Sequence, residues 1–151
     1  MPEIGDEAPD FTLPSTSGTV RLRDLANQNM VLLAFYTEDN TPLCSSEISV
    51  LAEDYEIVQQ LGAEVIGVSA DSVESHEEFA AKIGGVPFPL ASDEDLQAAK
   101  AYDVTDDGGK RCRRAVFVIG RGGRILHAEP WFQPGNPTQY EEIFRAMGFD
   151  V

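Results

Sequence analysis

The chain is short of cysteine, of positive charge and of long apolar runs, and each shortage excludes a class of protein. Two cysteines in 151 residues cannot build a disulfide framework, and a chain of this length buries enough core not to need one. Only 11 Lys and Arg stand against 26 Asp and Glu, a net charge of -15. Such a field repels phosphate backbones, so neither nucleic acid nor an anionic membrane is expected as a partner. The longest apolar run, "MVLLAFY" from Met30 to Tyr36, is strand-sized, far below the ~20 residues of a membrane-crossing helix. The N-terminus "MPEIGDEAPD" lacks the basic-then-apolar layout of a secretion signal, which makes a cytoplasmic location the expectation. Repeats, low-complexity tracts and linker-like stretches are also missing. One domain over residues 1–151 is therefore expected.

What remains is patterned. Short strand signals, "DFTL" and "TVRL", flank the turn-forming "PSTSG", an N-terminal β-hairpin extension. "MVLLAFY" and "AEVIGVSA" read as strands buried on both faces. Between them Ile48, Leu51, Tyr55 and Val58 recur at helical spacing, which predicts one helix from Leu43 to Leu61, ended by Gly62. "DSVESHEEFAAKIGG" predicts a helix with acidic residues in its first turn, followed by a short "FPLAS" strand and a "DEDLQAAKAYDV" helix. "RAVFVIG" and "RILHAEPWF" predict a hairpin turning at Gly122-Gly123, and "PTQYEEIFRAMGF" a closing helix. Strand-helix alternation with a late hairpin implies an α/β fold: a mixed central sheet flanked by helices, compatible with a thioredoxin-like arrangement.

Cys44 sits where the first buried strand gives way to a helix. Thr41 has the chemistry of a helix N-cap, and Pro42 suits the first helical position, where its missing N–H costs nothing. Cys44 then falls in the first turn, where free backbone N–H groups and the positive dipole end favour a thiolate over a thiol. A cysteine so placed has the means to act as a nucleophile at neutral pH.

Three stretches in order, "APDFTL", "FYTEDNTPLCSSE" and "RRAVFVIGRGGRI", resemble the landmarks of the peroxiredoxin family (alkyl hydroperoxide reductase and thiol-specific antioxidant type). The resemblance runs from about Ala8 to Trp131 and weakens in the last helix. It implies a thioredoxin-like fold and a thiol-dependent peroxidase that reduces hydrogen peroxide or organic hydroperoxides. Carried over residue by residue, it makes Cys44 the peroxidatic nucleophile, Thr41 the hydroxyl that orients the peroxide, and Arg114 the cation that holds the thiolate and donates to the peroxide oxygens. Glu47 is implied to hold that arginine by a charge-assisted hydrogen bond. The product on Cys44 is a sulfenic acid. No metal or organic cofactor is required by this chemistry.

The chain departs from the family in one place and lacks one optional part. Thr37 stands where the family has a proline over the cysteine, which puts oxidant selectivity in question. The resolving cysteine that many relatives carry on the same helix is replaced by Ser49. The other thiol is Cys112. In a strand through "RCRRAVF" it shares a face with Arg114, because side chains alternate with period two. One reading makes it a resolving partner for Cys44; the preferred one has it fill a small-residue slot beside the site. The preferred mechanism is thus one-cysteine, with Cys44 reduced by an external thiol, either a thioredoxin-like protein or a low-molecular-weight thiol. Relatives form dimers or larger rings, so the resemblance also implies a homodimer.

Other residues are given structural roles. Arg111 and Arg113 alternate away from Arg114, toward solvent or acidic surface. His76, among Asp71, Glu74, Glu77 and Glu78, is read as part of a solvated acidic helix start, and His127 as structural. Trp131 and Phe132 belong to the core or to a subunit interface. A thioredoxin-type disulfide reductase needs a cysteine at position 47, which is Glu47. A non-catalytic thiol redox sensor or binding module on the same fold is the alternative function.

Overall fold

The computed structural model describes residues 2–148. Its centre is a seven-stranded mixed sheet in the order β2-β1-β5-β4-β3-β6-β7. The strands are β1 (Thr12–Ser15), β2 (Gly18–Arg21), β3 (Met30–Phe35), β4 (Ala63–Ser69), β5 (Leu90–Ser92), β6 (Ala115–Ile119) and β7 (Ile125–Glu129). β3, β4 and β5 run parallel, while β6 pairs antiparallel with β3 and with β7. The N-terminal hairpin is not a separate appendage: β1 pairs with β5 and extends the same sheet. Gly122 and Gly123, at φ 98 and 97, turn the last hairpin in the conformation expected of paired glycines.

Helices α1 (Leu22–Ala26), α2 (Pro42–Glu53), α3 (Tyr55–Gln60), α4 (Val73–Lys82), α5 (Gln97–Ala101) and α6 (Pro137–Ala146) cover both faces. The period-two alternation of the central strands sorts their side chains into two core layers. Val31, Leu33 and Phe35 pack with Ala115, Phe117 and Ile119 under α1 and α5. Leu32, Ala34 and Tyr36 pack with Val116 and Val118 under Ile48 and Leu51 of α2, Val58 of α3, Phe79 of α4 and Ile143 of α6. Every residue from Val31 to Tyr36 is fully buried, which is why the run carries no polar face.

Two elements differ from the sequence expectation. The long helix is divided at Asp54, whose φ of -91 and ψ of 3 leave the α region. Backbone bonds from Asp54 N to Val50 O and from Val58 N to Asp54 O, each 3.0 Å, carry the chain across the break, so the hydrophobic periodicity continues and conceals it. The short helix α1 was not expected either. Leu22, read as the end of a strand, buries itself on this helix instead. Among the described residues no helix is long and apolar enough to cross a membrane.

Candidate active site

The parallel strands β3 and β4 end on the same edge of the sheet, and the loops that follow them build the site. β3 delivers the chain at Tyr36. The segment 37–41 then turns through Asn40 at φ 68, a left-handed conformation that asparagine tolerates. Thr41 is extended at φ -84, ψ 148, and Pro42 opens α2. The first helical bond is Ser45 N to Thr41 O at 2.8 Å, so the N–H groups of Leu43 and Cys44 precede the helical ladder. Cys44 therefore stands in the first turn of α2, as its spacing implied. Thr41 occupies the cap position but its side chain does not cap; its hydroxyl donates to Glu38 O at 3.2 Å.

Cys44 is fully buried in the layer of Leu32, Ala34, Tyr36 and Ile48. One helical turn on, Glu47 is also fully buried. Arg114 arrives from the other side: the register Phe35↔Ala115 sets it just before β6, level with the end of β3, and its charge reaches Glu47. The expected hydrogen bond between Glu47 and Arg114 is not formed. Both Glu47 carboxyl oxygens and Arg114 Nε are buried without a hydrogen-bond partner among the described residues. Burial, and then the charge of Cys44, hold the Glu47 carboxyl well above the ordinary carboxylate range, with Arg114 pulling the other way. The clamp first expected is therefore absent among the described residues.

The structure adds Tyr140, which sequence reasoning missed. Its hydroxyl is buried without a partner among the described residues, and its pKa is raised by burial and then by Glu47 and Asp54. Its ring meets Phe132 edge-on at 5.2 Å. It comes from α6, where the motif resemblance is weakest, so no sequence signal pointed to it. A cleft of about 220 Å³ opens beside the cluster, with Thr37, Arg114, Trp131 and Phe132 among its walls. Phe132 is core, whereas Trp131 is 62% exposed.

Three further expectations are corrected. Cys112 does not share a layer with Arg114. β6 begins only at Ala115, and the chain before it leaves strand alternation, so Cys112 packs in the opposite layer with Leu33, Phe35 and Phe117. Burial, followed by Asp93, Asp71 and Asp106, raises its thiol pKa well above the ordinary range. Arg113 is not turned to solvent. It donates to Pro130 O at 2.9 Å and Asp103 O at 3.2 Å, and lies 3.8 Å over the Trp131 ring. Arg111 does meet acidic surface, in an ion pair with Glu38. His76 is not solvated but fully buried, bonded to Asp39. His127 bonds Glu129 within its own strand at 2.9 Å.

The AhpC/TSA family model matches residues 4–128. A peroxiredoxin of Thermoplasma volcanium is 36% identical over 149 residues, covering 95% of this chain and 72% of that protein. Peroxiredoxin Bcp of Bacillus subtilis is 37% identical over 131 residues, 82% of each chain. Among solved structures, peroxidoxin BcpB of Mycobacterium tuberculosis superposes with a TM-score of 0.87 at 25% identity, covering 98% of this chain and 97% of its own. A yeast mitochondrial 1-Cys peroxiredoxin, solved for its thiol resolution via glutathione/thioredoxin systems, gives 0.85 at 25% identity over 98% of this chain and 77% of its own. A first-turn thiol at the strand ends of a thioredoxin-like sheet, together with these likenesses, leads to one conclusion: the chain belongs to the AhpC/TSA family, the peroxiredoxins, and is a thiol-dependent peroxidase.

Proposed function

We propose that Cys44 is the peroxidatic residue. The observation that carries this is its position: a fully buried thiol in the first turn of α2. The interaction of both Cys44 and Arg114 with Glu47 supports a shared site. The Cys44 thiolate attacks one oxygen of the peroxide; an S–O bond forms as the O–O bond breaks, and the second oxygen leaves as hydroxide or alkoxide. Arg114 stabilises the charge that moves onto the leaving oxygen. A proton then gives water or an alcohol and leaves Cys44 as a sulfenic acid. Because the Thr41 hydrogen is already given to Glu38 O, its oxygen orients the peroxide by accepting from the peroxide O–H. Glu47 acts on Arg114 through charge and burial rather than through a hydrogen bond. Thr37 lines the approach and bears on which peroxides enter.

Reduction follows a one-cysteine route. An external thiol attacks the sulfenic sulfur and expels water; a second thiol breaks the mixed disulfide and restores Cys44. The reductant is a thioredoxin-like protein or a low-molecular-weight thiol; the yeast mitochondrial 1-Cys peroxiredoxin, resolved via glutathione/thioredoxin systems, supports both. The whole chain acts as one catalytic domain, in the cytoplasm, as a homodimer. Stopped-flow oxidation of reduced protein tests the core of this reading. A rate far above that of a free thiol, abolished in Cys44→Ser, is expected; a free-thiol rate refutes it. Repeated turnover with added thiol separates an enzyme from a redox sensor, which oxidises once and stops.

A further inference from the structure

Behind the loop that leads to Cys44 lies a buried polar cluster that the peroxide chemistry does not touch. His76 of α4 and Asp39 of the loop are 0% and 1% exposed at their side chains. His76 Nε2 lies 2.9 Å from Ala91 O of β5. Nδ1 lies 2.9 Å from Asp39 Oδ2 and 3.1 Å from Oδ1. A carbonyl oxygen only accepts, so Nε2 carries a hydrogen. On the other side the Tyr36 hydroxyl is 2.7 Å from Asp39 Oδ1 and 3.1 Å from Nδ1, and it has one hydrogen to give. If Nδ1 were bare, its lone pair would face the carboxylate at 2.9 Å, and one hydroxyl hydrogen cannot serve both. The contacts close when Tyr36 donates to Asp39 and Nδ1 carries a second hydrogen. With both ring nitrogens engaged, none is left for a metal ion.

Other groups around the ring agree. Ser75 donates to Asp39 Oδ2 at 2.7 Å. Burial raises the Asp39 pKa, but hydrogen bonds from His76 and Tyr36 outweigh it and hold the group below its ordinary value, as a carboxylate. Burial and then Asp39 push Tyr36 up, so it stays a neutral donor. Asp71, from the loop after β4, approaches the same cluster; its Oδ2 accepts from Ser69 Oγ at 2.6 Å and from the Asp39 backbone N–H at 2.8 Å. Asp39 is thus tied by side chain and backbone at once. The next residues are Asn40, in its left-handed turn, and Thr41, so fixing Asp39 fixes where α2 begins.

We propose that His76 is a positioning residue for the peroxidase: an imidazolium bonded to Asp39 and Ala91, it holds the 37–41 loop and thereby the placement of Thr41 and Cys44. The kinetic part rests on Cys44 being the reacting thiol; the protonation part does not. The chain has 2 histidines, so His127→Asn leaves His76 alone in a long-range proton–nitrogen NMR spectrum. Both ring nitrogens are expected to show protonated, imidazolium-type signals at neutral pH. A neutral ring with one bare nitrogen overturns the proposal, whatever the fate of the other variants. In Asp39→Asn, with near-ultraviolet circular dichroism unchanged, the rate of peroxide oxidation should fall on the order of tenfold to a hundredfold. Tyr36→Phe, which keeps the ion pair, should lose much less. An Asp39→Asn rate within about twofold of wild type overturns the positioning role, while a wild type without fast oxidation indicts the Cys44 assignment instead.

Discussion

Cys44 and Cys112 are both fully buried and free, and they pack in opposite core layers of the one sheet. Cys44, on α2, packs with Leu32 and Ala34, whereas Cys112 packs with Leu33 and Phe35. A disulfide needs the two Cα atoms within about 7 Å, and a packed β-layer stands between these thiols. Oxidation by one equivalent of peroxide is therefore expected to add oxygen to the intact mass without an intramolecular disulfide. Cys112→Ser should keep thiol-supported turnover, and Cys44→Ser should lose it. A mass loss of two hydrogens within a monomer would reverse this assignment.

In the proposed mechanism Arg114 supplies the cation for the negative charge that develops on the leaving oxygen. Arg114→Ala should lower the second-order oxidation rate by about 10²–10³, the typical effect of deleting one donor to a developing oxyanion. Arg114→Lys should recover only part of it, since an ammonium lacks the planar fork. Full activity in Arg114→Ala, measured by stopped flow, would remove the residue from the mechanism.

Glu47 makes a prediction about pH and stability. Its folded pKa is raised, chiefly by burial and then by Cys44, against the opposing Arg114. A raised acid keeps its proton in the native state after the unfolded chain has lost it. Stability therefore falls as pH rises from the ordinary glutamate value of about 4.3 toward the folded value. Glu47→Gln removes that dependence, so its advantage over wild type should grow as pH rises above about 4. Urea midpoints at several pH values check the sign; a shrinking advantage would mean the carboxylate is stabilised instead.

Gly67 of β4 leaves room for the Leu90 side chain of β5. A Cβ there would meet Leu90 Cδ2 at 2.7 Å and Ile48 Cδ1 at 3.5 Å. The close atom is the end of a flexible side chain, so Gly67→Ala should cost about 1 kcal/mol, the low end for an overpacked core. Chemical denaturation measures it. A loss above about 3 kcal/mol would show that the strand or α2 had moved.

Much of this protein is readable from residue order. "MVLLAFY" and "AEVIGVSA" are strands because an unbroken apolar run suits a sheet buried on both faces, and β3 and β4 follow them closely. Thr41 and Pro42 marked the start of α2, because chain direction and a missing N–H act locally. The errors arose where side chains meet across distance. His76 looked solvated because its neighbours in sequence are acidic, but its neighbours in space are Tyr36, Asp39 and Ala91 O. Tyr140 had no local signal. Cys112 was put on the wrong face because alternation was extended past Ala115, where β6 starts.

Local steric preference and apolar spacing, present in the amino-acid order itself, settled the strands, the first turn of α2 and the thiol placed in it. Which cations, acids and hydroxyls surround that thiol was decided only when β3, β6 and α6 packed together. Burial and charge interaction depend on separation through space, and separation along the chain does not encode it.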